Sequence, residues 1–205
     1  MKNERKSIMD VVFLLDRSGS MSGCEKDTIG GFNSYVASHK RKDVRITTVL
    51  FDDKYEMIHK QVPINNIKKL TPKDYYVRGC TALLDAIGKT IEYMDIKKAE
   101  KVLFMITTDG LENASWQYSK DQIKELIEGH STYEFVYIGA DIDSYGEAMK
   151  IGIKENNISN YKKDKKGTAL LYKALSKVSD MFLEDEELDC CWKKELEDYI
   201  DENLE

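Results

Sequence analysis

At 205 residues the chain is long enough for one well-cored domain and short for two. Hydrophobic residues at 41%, charged residues at 33% and only two prolines suit a soluble globular chain and exclude a fibrous, low-complexity or Pro-rich class. The net charge of −6 is concentrated in residues 184–205, which hold 11 acidic and 2 basic side chains against 26 and 29 in the rest; without a basic footprint, nucleic acid is not expected as a partner.

The first predicted element is the apolar run Val11–Leu15, which closes in Asp16-Arg17-Ser18-Gly19-Ser20. A basic start followed by an apolar run imitates an export signal. The run is only about eight residues long and is bounded by Asp10, Asp16 and Arg17, so a buried strand is the better reading. Cys24, Cys80, Cys190 and Cys191 show neither metal-finger spacing nor a disulfide framework, which fits reduced thiols and a cytoplasmic location. No run approaches the roughly 18 apolar residues of a membrane helix, so no membrane partner is expected.

A helix follows over Lys26–Ser38, with Ile29, Phe32, Tyr35 and Val36 on one face. Strands Val44–Phe51 and Glu56–Val62 flank the turn carrying Asp52 and Asp53 and form an antiparallel pair. Then come a helix over Ala82–Met94, a strand over Lys101–Thr108 ending in Thr108-Asp109-Gly110, and a helix over Ser119–Glu128. A strand at Thr132–Ile138, a helix at Ser144–Ile151, a weak strand near Asn157–Tyr161 and a helix at Gly167–Leu183 complete the series.

This alternation predicts a three-layer α/β/α, Rossmann-like fold: a mainly parallel sheet with helices on both faces and one antiparallel edge strand. The domain is expected over residues 7–183. An acidic helical tail follows over residues 184–205, where Leu188, Trp192, Leu196 and Ile200 keep helical spacing and could extend the last helix and dock one apolar face. In open parallel sheets ligands bind at the carboxyl ends of the strands, so Asp16 and Asp109 should share one rim.

Three loops then bring Asp16, Ser18 and Ser20, Thr81 just before a helix, and Asp109 after a central strand. All are hard oxygen donors, a set that suits Mg²⁺, with Mn²⁺ or Ca²⁺ as alternatives, rather than Zn²⁺. The bland alternative is that the hydroxyls cap helices and Asp16 serves loop amides. Around them, Asp52 and Asp53 are turn residues or rim contacts. Glu112 and Asn113 cap the next helix or take part in recognition. Asp85 reads as a buried hydrogen-bonding residue, and Trp116 and Tyr118 as packing residues.

Asp-x-Ser-x-Ser after the first strand, a later Thr before a helix and Thr-Asp-Gly after a central strand together resemble the von Willebrand factor A (vWA) domain, over about Ser7 to Leu183. More narrowly, the chain resembles the compact intracellular bacterial and phage-type members of that family. The resemblance implies an intact metal-ion-dependent adhesion site (MIDAS). In it, Ser18 and Ser20 bind the metal directly, Thr81 contacts it directly or through water, and Asp16 and Asp109 bind it or hold its waters. It also implies that a partner protein's Asp or Glu fills the open metal position, and that the chain ends lie on the face opposite the metal.

The expected function is therefore a divalent-cation-dependent protein-binding module and not an enzyme. Two other classes compete. One is a scaffold recruiting through its acidic tail independently of metal. The other is an Mg²⁺-dependent phosphohydrolase with Asp16 as nucleophile, disfavoured because no phosphate-binding GxxxxGK[ST] loop and no Ser-His-Asp arrangement is present. The tail also raises weak self-association, one copy's carboxylate entering another's metal site.

Overall fold

The computed structural model describes residues 8–39, 43–140 and 142–203. Its centre is a six-stranded sheet in the order β3-β2-β1-β4-β5-β6. The strands are β1 (Met9–Asp16), β2 (Val44–Phe51), β3 (Tyr55–Pro63), β4 (Lys101–Thr108), β5 (Tyr133–Gly139) and β6 (Ile158–Asn160). Every neighbouring pair is parallel except β2 and β3, where the hairpin makes β3 the antiparallel edge. The expected fold class is the one observed.

Burial explains the order. Every residue of β1 is buried, because the strand lies between β2 and β4 with helices on both faces. Alternate side chains divide between two cores. Val11, Phe13 and Leu15 join Phe32 and Tyr35 of α1 (Glu25–Ser38) and Leu171, Leu175 and Val178 of α5 (Lys165–Leu183). Val12 and Leu14 join Leu84, Ile87 and Ile91 of α2 (Leu83–Ile96), Ile123 and Ile127 of α3 (Lys120–Gly129) and Ala148 of α4 (Ser144–Lys150). β4 repeats the pattern, so the two central strands read as continuous apolar runs.

The acidic C-terminal segment does not extend α5. That helix stops at Leu183, Asp185 turns the chain with a φ of +57°, and a single 3-10 turn over Cys190–Trp192 leads into α6 (Lys194–Asp201). Leu188, Trp192 and Leu196 are buried in the same core as α1 and α5. The Trp192 indole donates to Asn156 O at 2.9 Å. Buried Lys193 donates from Nζ to Ile158 O (2.9 Å) and to Tyr145 Oη (3.0 Å).

Helix α6 then runs back to the carboxyl end of the sheet. Tyr199 Oη donates to Asp164 Oδ2 at 3.0 Å and Lys162 Nζ donates to Asn203 O at 3.3 Å, both in the loop that follows β6. The described C-terminal end therefore lies on the rim that carries Asp16 and Asp109, not on the opposite face as expected. The cause is the return of α6, which adds one more antiparallel pass after α5.

Among the described residues no helix is long and apolar enough to cross a membrane. All four cysteines are free, Cys24 buried and the other three exposed.

Candidate metal centre

Asp16 is the last residue of β1, where the strand leaves the sheet between two parallel neighbours. Its backbone carbonyl accepts a hydrogen bond from Tyr75 Oη at 2.5 Å. Its carboxylate accepts one from the Ser18 amide (Oδ1, 2.6 Å) and one from the Thr108 hydroxyl (Oδ2, 2.5 Å). The side chain has no solvent exposure. Burial pushes its pKa up to about 6, against the hydrogen bonds from Thr108 and from the Ser18 amide and side chain that favour the charged form, and nearby Asp109 adds to the rise.

The hydroxyls gather beside it. Ser18 Oγ and Ser20 Oγ are 2.9 Å apart, and Ser20 Oγ donates to Asp109 Oδ1 at 2.6 Å. Thr81 is fixed from the far side by Asn113, whose Oδ1 accepts from the Thr81 amide (2.9 Å) and whose amide donates to Thr81 O (3.0 Å). Gly110 leaves the space between them open. A methyl group there would lie 2.6 Å from Thr81 Oγ1, 3.1 Å from Ser20 Oγ and 3.5 Å from Ser18 Oγ.

None of these hydroxyls caps a helix. Ser18 precedes a 3-10 turn without a side-chain capping bond, and α2 starts after Ala82, which has no side chain able to cap. The capping groups of α2 come from the loop after β4. Glu112 Oε2 accepts from the Leu84 amide (2.9 Å) and Ser115 Oγ from the Asp85 amide (3.0 Å).

The five residues expected from the motifs are thus brought to one place. The residues present fit a hard divalent cation: two carboxylates and three hydroxyls around a space that only a glycine leaves free. The five side chains offer oxygen donors alone, with neither nitrogen nor sulfur among them.

The rim residues divide. Asp52 is buried, and its Oδ2 pairs with Arg17 Nε (2.8 Å) and Arg78 Nε (2.7 Å). Burial works to raise its pKa, but the Arg78 and Arg17 guanidiniums and the Lys54 amide hold it below the ordinary value. Asp53 is exposed and lies against Gly79, where φ is +67° and a methyl would meet Asp53 Oδ1 at 2.1 Å. Glu112 serves α2 and not the next helix, α3, which has its own capping box of Ser119 and Gln122. Asp85 accepts from the Gln117 and Tyr118 amides, as a buried hydrogen-bonding residue should. Tyr118 packs on the second core, whereas Trp116 is 81% exposed and is not a packing residue.

Sequence reasoning missed four participants: Thr108, Tyr75, Arg17 and Lys163. Lys163 matters most. From the loop between β6 and α5 its Nζ lies 2.6 Å from Asp109 Oδ2 and also donates to Ser20 O. Asp109 Oδ2 takes no well-aligned hydrogen bond, so its buried charge is met by this ammonium. In the sequence Lys163 is one of four lysines in Tyr161-Lys-Lys-Asp-Lys-Lys, and nothing there distinguishes it from a solvated charge.

No protein-family model and no curated protein matches the chain. Solved structures do. The manganese-loaded TRAP protein of Plasmodium vivax is 18% identical with a TM-score of 0.62, over 82% of this chain and 72% of that one. Proximal thread matrix protein 1 of the mussel byssus, with its MIDAS motif occupied by zinc, is 15% identical with a TM-score of 0.63, over 85% of this chain. This chain spans about half (46%) of the byssus protein. The vWF domain of the type V pili tip protein Mfa5 from Porphyromonas gingivalis is 11% identical with a TM-score of 0.64, over 87% and 97% of the two chains. At such identities the likeness establishes a vWA-like fold, and the chemistry must be argued from the site.

Proposed function

We propose that this chain is a divalent-cation-dependent protein-binding module in which Asp16, Ser18, Ser20, Thr81 and Asp109 hold the ion and a partner protein supplies an Asp or Glu carboxylate. The observation that carries the reading is the convergence of three hydroxyls from two loops, beside two carboxylates, on the space left open at Gly110, with no helix capped by any of them. A bound cation would offer a Lewis-acidic position to an incoming carboxylate. The chain's own part is to orient the ligands: Thr108 and the Ser18 amide fix Asp16, Asp109 fixes Ser20, and Asn113 fixes Thr81. Mg²⁺ suits so hydroxyl-rich a set best, because it retains several waters; Mn²⁺ and Ca²⁺ are the alternatives. The zinc and manganese of the two metal-bound neighbours support a divalent ion in general.

The binding role is favoured over hydrolysis because both oxygens of Asp16 are engaged and its side chain is closed to solvent, which is a poor state for a nucleophile. Four free thiols support a reducing cytoplasm as the setting. The partner is a protein with an acidic side chain. A second copy of this chain offers the same chemistry, since α6 ends beside the β6–α5 loop.

Thermal unfolding in EDTA, Mg²⁺, Mn²⁺ and Ca²⁺, for the wild type and for Ser18→Ala, tests the site. Metal at about 100 times its dissociation constant stabilises by roughly 2.7 kcal/mol, a rise of roughly 5–10 °C for a chain of this size. The rise is expected in the wild type and not in Ser18→Ala. Equal curves in EDTA and in all three metals at millimolar concentration would remove the metal from the reading. Chelator-insensitive capture of a partner would favour the metal-independent scaffold.

A further inference from the structure

Among the described residues, Lys163 is a cationic side chain that reaches into the candidate metal centre, and its place there is built. The loop from Asn160, the end of β6, to Asp164 crosses the rim in three residues. Asp164 anchors the far end by accepting from the Gly167 amide at 2.7 Å and from Tyr199 Oη at 3.0 Å. Lys162 turns outward to Asn203 O, and Lys163 turns inward to Asp109 and Ser20. The Lys163 side chain is only 22% exposed and that of Asp109 is buried, so the pair is shielded from full solvent screening.

We propose that Lys163 is an internal competitor of the divalent cation: its ammonium neutralises Asp109 in the metal-free protein and must give way when the ion binds. The inference rests on the metal-binding reading above. Among its contacts, the ones to Asp109 Oδ2 and to the Ser20 carbonyl fall on members of the donor set itself, while Ser20 Oγ is held by Asp109 Oδ1. An ion seated on the Ser20 hydroxyl would therefore lie well inside a Debye length of about 8–10 Å from the ammonium. Like charges at that range, partly buried, repel strongly enough to alter affinity by roughly tenfold or more. Lys163 thus sets the metal affinity of the resting protein low. It also favours occupation when a carboxylate arrives with the ion and supplies the ammonium with a new counter-charge.

Isothermal titration of the full chain with MgCl₂ and with MnCl₂ decides the matter, using wild type, Lys163→Met, Lys163→Gln, Lys163→Arg and Ser18→Ala. The neutral variants are expected to bind either metal roughly tenfold tighter or better, and Lys163→Arg to stay near the wild type. Thermal unfolding in EDTA supplies a second readout. There the neutral variants melt lower than the wild type, because Asp109 has lost its counter-ion beside Asp16, and they regain more on adding metal. It also shows that each variant is folded, and Lys163→Gln stands in should Lys163→Met not be. Unchanged or weaker affinity in both neutral variants, with binding abolished by Ser18→Ala, would overturn the role of Lys163 and leave the metal site standing. Absence of binding in every variant, including the neutral ones, would overturn both.

Discussion

Asp16 holds a carboxylate in a place that burial makes expensive to charge, and this has a pH signature of its own. Its folded pKa of about 6 stands above the ordinary 3.8. The folded state therefore binds that proton more tightly than the unfolded state, and the stability this gives is fully present below pH 3.8 and lost as pH rises through 6. The shift corresponds to a loss on the order of 3 kcal/mol at neutral pH in the absence of metal. Asp16→Asn keeps an acceptor for the Ser18 amide and has no such proton to lose. Urea unfolding of both proteins in EDTA between pH 4 and 8 should show the variant gaining on the wild type as pH rises. A difference that stays flat across that range would mean that Asp16 is not destabilised by its burial. The comparison has to be made between variants, because surface carboxylates held by lysines titrate with the opposite sign, as the half-buried Glu195 does with a pKa lowered to about 2 by Lys173 and Lys177. At this scale the five residues gathered at the rim were legible in the sequence, from Asp-x-Ser-x-Ser after the first strand, a Thr shortly before a helix and Thr-Asp-Gly after a central strand. The partners that fix them, Thr108, Tyr75 and Lys163, were not: an ordinary Thr, Tyr or Lys carries no mark of the long-range contact it will make.

The helix behind the site owes its start to a loop that is distant in sequence. α2 begins after Ala82, and Thr81, the neighbouring residue able to cap, presents its hydroxyl to Gly110 instead. Glu112 replaces it: Oε2 takes the Leu84 amide and the Ser115 hydroxyl, and Oε1 takes the Ala114 and Ser115 amides. A carboxylate at a helix N-terminus also meets the favourable end of the helix dipole. Glu112→Ala should destabilise the metal-free protein by about 1–2 kcal/mol. Glu112→Gln should cost less, since one oxygen can still accept. Thermal unfolding in EDTA reads both, and an unchanged midpoint for the alanine variant would show that the loop does not cap α2. This substitution of one cap for another explains why Glu112 read equally well as a cap or as a recognition residue: capping is its role, but for the helix before it. Elements with a continuous apolar run or a clear amphipathic face were legible, and β2 and β4 have the boundaries their sequence predicts. The last helix also ends at Leu183 as its sequence predicts, but the turn that keeps the tail from extending it was not legible, because Glu184-Asp-Glu-Glu contains neither Gly nor Pro and the turn is made by Asp185 at positive φ.

The C-terminal segment belongs to the architecture and faces the candidate site as well. Leu188, Trp192 and Leu196 complete the core that α1 and α5 share, and Lys193 ties the segment to β6. Losing Trp192 alone costs about 3–5 kcal/mol by the usual measure of large-to-small core changes. Removing everything after Leu183 would therefore unfold the protein rather than report on what the acidic segment does. The question whether one molecule's carboxylates reach another's metal has to be put to the outer face of α6, where Asp198, Asp201 and Glu202 are exposed near the β6–α5 loop. The triple variant Asp198→Asn, Asp201→Asn, Glu202→Gln leaves the buried residues of α6 in place and removes three charges, so its melting temperature should stay near that of the wild type. If these acids serve as carboxylate ligands between copies, the wild type at high concentration sediments faster in Mg²⁺ than in EDTA, and the triple variant does not. Association that persists in EDTA would assign it to an ordinary surface contact. A wild type that stays monomeric in Mg²⁺ would leave the open metal position to the side chain of a different protein.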